Sequence, residues 1–377
     1  MYKLYLTCPR GLEQSLYEET KTIINQDIKL DKGGIQFKGS LEDIYRINYK
    51  SRIAMNLHLK LFTGYVNSYN DLYKFVFRHP WHKILTADNT FIIKSKINSN
   101  ILDKNNFCTM RIKDGIVDRI RKETKKRPSI DKKNPDFYIF VYIKNKKVNV
   151  YLNSSGWPLF MRGYKSKIHK ASLNESLAGG ILHLSNWNKD SALYDPMCGS
   201  GTFLIEAALS AFNIPPRILR TTYAFKNWKD FNQNLWDKII EEENTKIKYT
   251  DVKLYGSDII PNNIKIAQDS IDKLKLSDYV TLGIKDFKDV KPKENAGYII
   301  TNPPYGHRIG DVDKLKLLYK EFGDHLKTNF QGFNGYIFTG NLELLKSIGL
   351  RTKKKIILKN GTIDCRLAYY PLKSGRY

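Results

Sequence analysis

The sequence predicts an α/β chain, with a Rossmann-like, doubly wound parallel sheet in its C-terminal part and an α+β region before it. Three observations carry this. From about residue 154 onward, short apolar strands alternate with helices, as β-α units of a parallel sheet require. Ser191 to Asp195, the glycine-containing turn Pro196 to Thr202 and the apolar run Phe203 to Leu209 read as strand, turn and helix, the first such unit. Before residue 154, strands and helices are mixed without that rhythm, and the turn residues Asn153-Ser154-Ser155-Gly156 mark a boundary. The expected division is residues 1–60, 61–153 and 154–377.

The N-terminal elements follow from their patterning. Tyr2 to Thr7 alternates as a strand, and Cys8-Pro9-Arg10-Gly11 is turn chemistry. Leu12, Leu16 and Thr20 repeat at helical spacing, which predicts a helix to about Ile24. Gly33-Gly34 leads into the strand Ile35-Gln36-Phe37, and Ser40-Leu41-Glu42-Asp43 is a helix N-terminus signature. Phe91 to Lys94, Phe137 to Ile143 and Lys146 to Leu152 read as strands, with a basic helix from Asn105 to about Lys126.

In the C-terminal part, the strand Lys253 to Ser257 ends at Asp258, and a helix from Pro261 to Leu274 carries Pro in its first turn. The strand Tyr279 to Ile284 leads to Asp286-Phe287. Ligands of such sheets sit beyond the strand carboxyl ends, where Asp195, Asp258 and Asp286 stand in succession. The turn Gly199-Ser200-Gly201 lacks the third glycine of a dinucleotide loop and the Gly-Lys-Ser/Thr of a phosphate loop. An acid at position 195 suits the cationic methionyl part of S-adenosylmethionine better than a pyrophosphate. Asp258 suits ribose hydroxyls, and Asp286 an adenine amine beside the Phe287 ring. The gap from Asp195 to Asp258 exceeds the usual spacing of about 20 residues; the excess, roughly 212 to 250, reads as an inserted helical segment rich in Trp and Lys.

Composition bounds the partners. A hydrophobic fraction of 41% argues against disorder. No apolar run approaches the ~20 residues of a membrane span, and Met1 to Glu13 reads as strand and turn, without a signal-peptide pattern. Cys8, Cys108, Cys198 and Cys365 are scattered with no C-x-x-C pair, so neither a metal site nor a disulfide framework is expected, and a reducing cytoplasm is. A net charge of +25 points to a polyanionic partner. Biased composition, rich in Lys, Asn and Ile, also produces such a charge.

Asn302-Pro303-Pro304-Tyr305 follows the apolar strand Tyr298 to Thr301. The Asn side-chain oxygen and the Pro303 carbonyl offer two acceptors for one planar amine, the second Pro stiffens the turn, and Tyr305 offers a face for a base. Two acceptors on one NH2 make its nitrogen more nucleophilic. A base inside a duplex cannot reach such a site, so the target is single-stranded or flipped. The tetrapeptide leaves guanine N2 and adenine N6 both open.

Taken together, Phe160-Met161-Arg162-Gly163-Tyr164, Asp195 to Phe203, Gly256-Ser257-Asp258, Asn302 to Gly306 and Asn360 to Cys365 resemble the catalytic domain of the THUMP-containing class I RNA guanine-N2 methyltransferases. Cys8 to Glu13 and the basic stretch Arg111 to Lys126 match at the front, so the resemblance covers essentially the whole chain. In length and layout the chain is similar to bacterial single-enzyme 23S rRNA guanine-N2 methyltransferases; the tRNA enzymes share the architecture. The resemblance implies a ferredoxin-like segment, a THUMP RNA-binding domain and a class I methyltransferase domain, with S-adenosylmethionine as cofactor and RNA as partner. It implies donor contacts from Asp195, Met197, Gly199, Gly201, Thr202, Asp258, Ile259, Asp286, Phe287 and Asn302. Asn302, Pro303, Pro304 and Tyr305 form the catalytic turn. Arg162, Tyr164 and Arg308 are expected near the target nucleotide, and Arg111, Arg119 and Lys122 on RNA backbone. Two departures stand out: Ser172 in Ala171-Ser172-Leu173, and the helix glycines Gly179-Gly180, each costing up to ~1 kcal/mol against alanine.

Overall fold

Two sheets, of eight and seven strands, organise the chain; the computed structural model describes residues 1–165, 173–306 and 312–373. The first sheet is built from β1 (Tyr2–Thr7), β2 (Ile28–Asp31), β3 (Gly34–Gly39), β4 (Asn56–Tyr65), β5 (Thr90–Asn98), β6 (Ser129–Ile130), β7 (Phe137–Lys144) and β8 (Lys147–Asn153). Between them run α1 (Glu13–Ile23), α2 (Leu41–Lys50), α3 (Tyr69–Arg78) and α4 (Asn105–Thr124). The signature at Ser40 is a complete capping box: Ser40 Oγ accepts from Asp43 N, and the Asp43 carboxylate from Ser40 N. Such a cap contributes about 1 kcal/mol.

The strand order is β2-β3-β1-β4-β8-β7-β5-β6. β4 pairs with β1 along one edge and β8 along the other, so residue 60, the expected end of the first segment, falls inside a strand that joins both halves. Alternation puts Leu4, Leu6, Ile35, Phe37, Leu57, Ile139 and Val150 into the core under the helices. The opposite side chains form a face of their own.

The second sheet holds β9 (Leu193–Asp195), β10 (Leu254–Asp258), β11 (Val280–Ile284), β12 (Tyr298–Thr301), β13 (Asn334–Thr339), β14 (Lys354–Asn360) and β15 (Ile363–Pro371). Its helices are α5 (Glu175–Leu184), α6 (Thr202–Ala211), α7 (Gln233–Asn244), α8 (Pro261–Lys273), α9 (Val312–Asn329) and α10 (Leu342–Ser347). The order is β11-β10-β9-β12-β13-β15-β14, parallel up to β13, with β15 antiparallel to both its neighbours. The chain leaves β9 toward β10 on one side and later fills β12 on the other. The carboxyl ends of β9 and β12 therefore flank the topological switch point, where such sheets bind ligands. Under α9, Tyr319, Phe322 and Leu326 pack with Ile299, Ile337 and Tyr370 in a separate apolar cluster.

The segment between α6 and β10 clamps the N-terminal sheet to the catalytic one. Arg46 of α2 bridges Glu242 at 2.6 Å and Glu243 at 3.0 Å on α7, and Lys50 reaches Glu243 at 2.8 Å. The Tyr45 ring lies 4.7 Å from Phe225 and 5.6 Å from Trp236. Buried Arg217 donates to the carbonyls of Asn48 and Ser51, satisfying the end of α2.

The α5 glycines belong to this junction. A Cβ on Gly180 would stand 2.2 Å from Leu12 Cδ1, and one on Gly179 3.1 Å from the Arg52 carbonyl oxygen. Leu12 is fully buried, so close approach of α5 outweighs the lost helix propensity. Gly180→Ala should destabilise the chain by about 1–3 kcal/mol through overpacking. A thermal midpoint equal to or above that of the unaltered chain would contradict this packing.

Candidate active site

The donor loop leaves β9 at Asp195 and turns through Gly199 (φ +53°) and Gly201 (φ +72°) into α6. Positive φ favours glycine at both places. A side chain at Gly199 would meet nothing within 4 Å, so open space lies above the loop. The loop is held by Cys198 N donating to Ser257 O at 2.8 Å and Gly199 N to Asp258 Oδ2 at 2.9 Å. Asp258 Oδ1 accepts from Ile260 N at 2.9 Å and Asn263 Nδ2 at 3.1 Å. A carboxylate has about four lone-pair directions, so Asp258 fixes the loop and keeps room for a further donor.

Asp195 is buried, and its side chain accepts a long 3.4 Å bond from Met197 N. Burial pushes its carboxyl up to about 7, opposed by Thr301 and the Met197 amide and reinforced by the charge of Asp258. Such a group calls for a cationic partner. A cavity of about 300 Å³ opens beside it, lined by Asp195, Pro196, Gly256, Ser257, Gly283 and Lys285 among others. Tyr194 and Tyr255 also line it; they stack at 4.6 Å and both hydroxyls reach Glu294, at 2.5 and 3.0 Å. A separate open depression of about 530 Å³ is lined by α7 residues and Thr245 and holds none of these groups.

The residues around this cavity fit S-adenosylmethionine. The Asp195 carboxyl, in no ion pair among the described residues, would face the donor's cationic group, and the open space over Gly199 admits a ligand. Ile259 is 65% exposed at the end of β10, an apolar side chain ready to cover a flat ring. Thr202 is buried at the start of α6, and Met197 is half-buried. Asp286 caps a short 3-10 turn, Phe287–Asp289, by accepting from Lys288 N at 3.0 Å. Phe287 differs from expectation: its ring is buried edge-on against Phe322 at 5.3 Å, a core contact beneath α9.

Asn302 begins the acceptor turn at the end of β12. Its Oδ1 is buried and has no hydrogen-bond partner among the described residues, although a lone buried acceptor is costly. Pro303 is buried, Pro304 exposed and Tyr305 half-buried. The Tyr305 hydroxyl accepts from Asn360 Nδ2 at 3.3 Å, and a Cβ on Gly340 would stand 2.9 Å from its ring. Asn360 and Gly340 thus buttress the ring. Asn360-Gly361 was visible in sequence as a motif, but nothing there linked it to Tyr305, 55 residues earlier.

Among the expected substrate residues, Arg162 and Tyr164 are corrected. Both are buried, with Arg162 Nε 3.3 Å from Glu206 Oε1 and the Tyr164 hydroxyl 3.2 Å from the same oxygen. Arg162 also donates to the carbonyls of Leu159 and Arg52. They form a buried knot behind the donor helix and present nothing to a nucleotide. Arg111, Arg119 and Lys122 lie on α4, largely engaged within their own layer: Arg111 over Tyr73 at 4.5 Å, Arg119 on Glu123 at 3.0 Å and Lys122 over Phe77 at 5.8 Å. Arg308, with His307 and the Ala171-Ser172 pair, lies outside the described residues. Burial holds the Cys198 thiol far above its ordinary range, so it packs as a small apolar group and is no nucleophile.

Residues 162–369 match the RMKL-like methyltransferase domain family, residues 66–153 the THUMP domain and residues 3–56 the RlmL ferredoxin-like domain. The chain is 34% identical over its whole length to the ribosomal RNA large subunit methyltransferase K/L of Shewanella frigidimarina, of which it covers 53%. It thus spans about half the length of the K/L relatives. It is 32% identical over 98% of its length to slr0064 of Synechocystis, provisionally named an RNA methyltransferase, and covers 96% of it. The crystal structure of SMU.472 complexed with SAH superposes with a TM-score of 0.88 at 26% identity, over 100% of this chain and 99% of that one. With a ferredoxin-like segment, a THUMP domain and this methyltransferase domain in one chain, the protein belongs to the THUMP-containing, RMKL-like methyltransferase family.

Proposed function

We propose that the chain methylates the exocyclic N2 amine of a guanine in RNA, with 23S rRNA as its substrate and S-adenosylmethionine as methyl donor. The observation that carries the amine reading is Asn302 Oδ1 at the end of β12, buried and without a hydrogen-bond partner among the described residues. It offers an acceptor that an incoming amine can satisfy. The RNA reading is supported by the THUMP match and the ribosomal RNA name of the K/L relatives. Guanine N2 over adenine N6 rests on the whole-chain resemblance, since both bases offer the same kind of amine.

Asn302 Oδ1 and the Pro303 carbonyl accept the two amine N–H groups and fix the nitrogen lone pair toward the donor side. Tyr305, held at its hydroxyl by Asn360, supplies the face on which the base stacks. Asp195 would hold the cationic end of the donor and Asp258 its hydroxyls. Bound S-adenosylmethionine supplies an electrophilic methyl group. The chain contributes positioning, which brings nitrogen and methyl into line. The amine proton is lost after alkylation has acidified the nitrogen, so no strong base is required.

Incubation with labelled S-adenosylmethionine and unmodified rRNA, tRNA and DNA, followed by digestion to nucleosides, tests the reading. Label in N2-methylguanine from rRNA is expected. Label only in N6-methyladenine removes the guanine reading, and label in tRNA alone removes the ribosomal one.

Donor binding should depend on pH through Asp195. Its carboxyl sits near 7, against an ordinary 3.8, and only the ionised form attracts the donor's cation. Donor affinity should therefore rise about tenfold per pH unit below 7 and level off above it. By the same linkage, a carboxyl raised in the folded state makes the ligand-free chain lose stability as pH rises from about 4 to about 7. Calorimetric titration across this range checks the first statement, and Asp195→Asn should flatten it. A pH-independent affinity for the unaltered chain would count against Asp195 as the cation's partner.

A further inference from the structure

The eight-stranded sheet carries its helices on one face, and its register fixes what the other face presents. Lys3 pairs with Lys38, Tyr5 with His58, Lys60 with Tyr151, Tyr142 with Asn149 and with Lys96, and Lys144 with Lys147. The rings form a connected strip: Tyr5 lies 6.2 Å from Tyr151, Tyr151 6.0 Å from Phe140, and Phe140 stacks on His58 at 4.8 Å. Tyr5 and Tyr142 are partly exposed, and Lys3, Lys38, Lys96, Lys144 and Lys147 are exposed.

These lysines are not ion-paired, although the Asp31 carboxylate acts on Tyr5 and Tyr151 of the same face. Among the described residues, none of Lys3, Lys38, Lys60, Lys96, Lys144 and Lys147 forms an ion pair. Lys60 has its ammonium pushed down by burial and then by Lys147 and Lys3, a standing repulsion that a polyanion relieves. The basic helix α4 contrasts with this face: Arg119 is paired with Glu123 and Arg121 with Asp118, each at 3.0 Å.

The face also leads to the acceptor turn. The Tyr5 hydroxyl donates to Lys32 O at 3.1 Å, and Arg10 packs beneath the neighbouring Gly33. Arg10 O accepts from Lys359 N at 3.1 Å, and the next residue, Asn360, holds Tyr305.

Resting on the RNA reading above, we propose that single-stranded RNA adjoining the target nucleotide docks across this helix-free face, its phosphates on the lysines and its bases on Tyr5 and Tyr142. Aromatic rings can stack on any unpaired base. A duplex keeps its bases stacked inside and offers mainly backbone. A surface combining rings with lysines therefore favours the single strand.

Fluorescence anisotropy with a labelled single-stranded RNA oligonucleotide, and with an RNA duplex of the same length, tests this. The triple variant Lys3→Ala/Lys60→Ala/Lys147→Ala should weaken single-strand binding about tenfold or more, and lower the slope of log affinity against log salt by about 2, at roughly 0.7 per lost phosphate contact. Tyr142→Ala should weaken the single strand about fivefold or more and leave the duplex nearly unchanged. Thermal unfolding and calorimetric binding of S-adenosylmethionine should match the unaltered chain. The matched α4 triple Arg119→Ala/Arg121→Ala/Lys122→Ala should give the smaller loss. The proposal is overturned if the face variants keep affinity and salt slope, if the α4 triple takes the loss, or if Tyr142→Ala weakens duplex and single strand alike. An unaltered chain that binds neither RNA and methylates DNA instead would overturn the RNA reading itself, a distinguishable result.

Discussion

Asn302→Ala should lower methyl transfer on the order of 10²–10³-fold, the usual consequence of removing one preorganised electrostatic group from a reacting centre. Donor affinity should stay the same. The reason lies in the state of Asn302 Oδ1, which is buried and unpartnered among the described residues. An unsatisfied buried acceptor costs the fold about 1–3 kcal/mol, so Asn302→Ala should also raise the thermal midpoint slightly. Activity lost while stability rises marks a group kept for function. Single-turnover transfer, donor calorimetry and scanning calorimetry on one preparation read all three quantities. A collapse of donor affinity would instead place Asn302 on the donor, and a fall in stability would make it structural.

Glu206→Gln should have the larger effect on folding. Arg162 and Glu206 are both fully buried, and the Tyr164 hydroxyl shares the same carboxylate. Removing one charge strands the other, at about 3–5 kcal/mol. Replacing both, as in Arg162→Met/Glu206→Leu, should recover much of that loss, because a well-packed apolar pair has no ion to desolvate. Chemical denaturation of the single and double variants measures the difference. If Arg162→Lys left stability intact and lowered RNA affinity alone, Arg162 would contact substrate after all.

Much of the catalytic half was legible in sequence because its signals are local. A strand ending in Asp195, glycines at positive φ and Pro261 opening α8 act within a few residues of themselves. The expected strand over 279–284 and the observed β11, Val280–Ile284, differ by one residue. β4 was less legible. Pairing with β1 covers only Asn56 to Leu59, but pairing with β8 carries the strand past residue 60, through a register shift between Lys60 and Phe62, to Tyr65, and no turn residue announces that. Phe287 was placed beside a ligand because it follows Asp286, yet α9 offers it an apolar bed. The Gly179-Gly180 pair was visible only as a helix penalty; its compensation is contact with Leu12 and Arg52, over a hundred positions away.

The sequence by itself determined the fold class, the glycine turn after β9 and the proline turn after β12, since glycine, proline and strand-end acids act through short-range sterics and hydrogen bonds. Only the tertiary structure decided which charges are available. Arg162 reads as a substrate contact beside Gly163, but burial gives it to Glu206. The cations of α4 read as an RNA surface, but neighbours one turn away engage them. The lysines left without partners come from strands far apart in sequence, brought onto one face by register. Charge is fixed by residue type; whether it is paired, buried or free depends on neighbours that only the folded chain supplies.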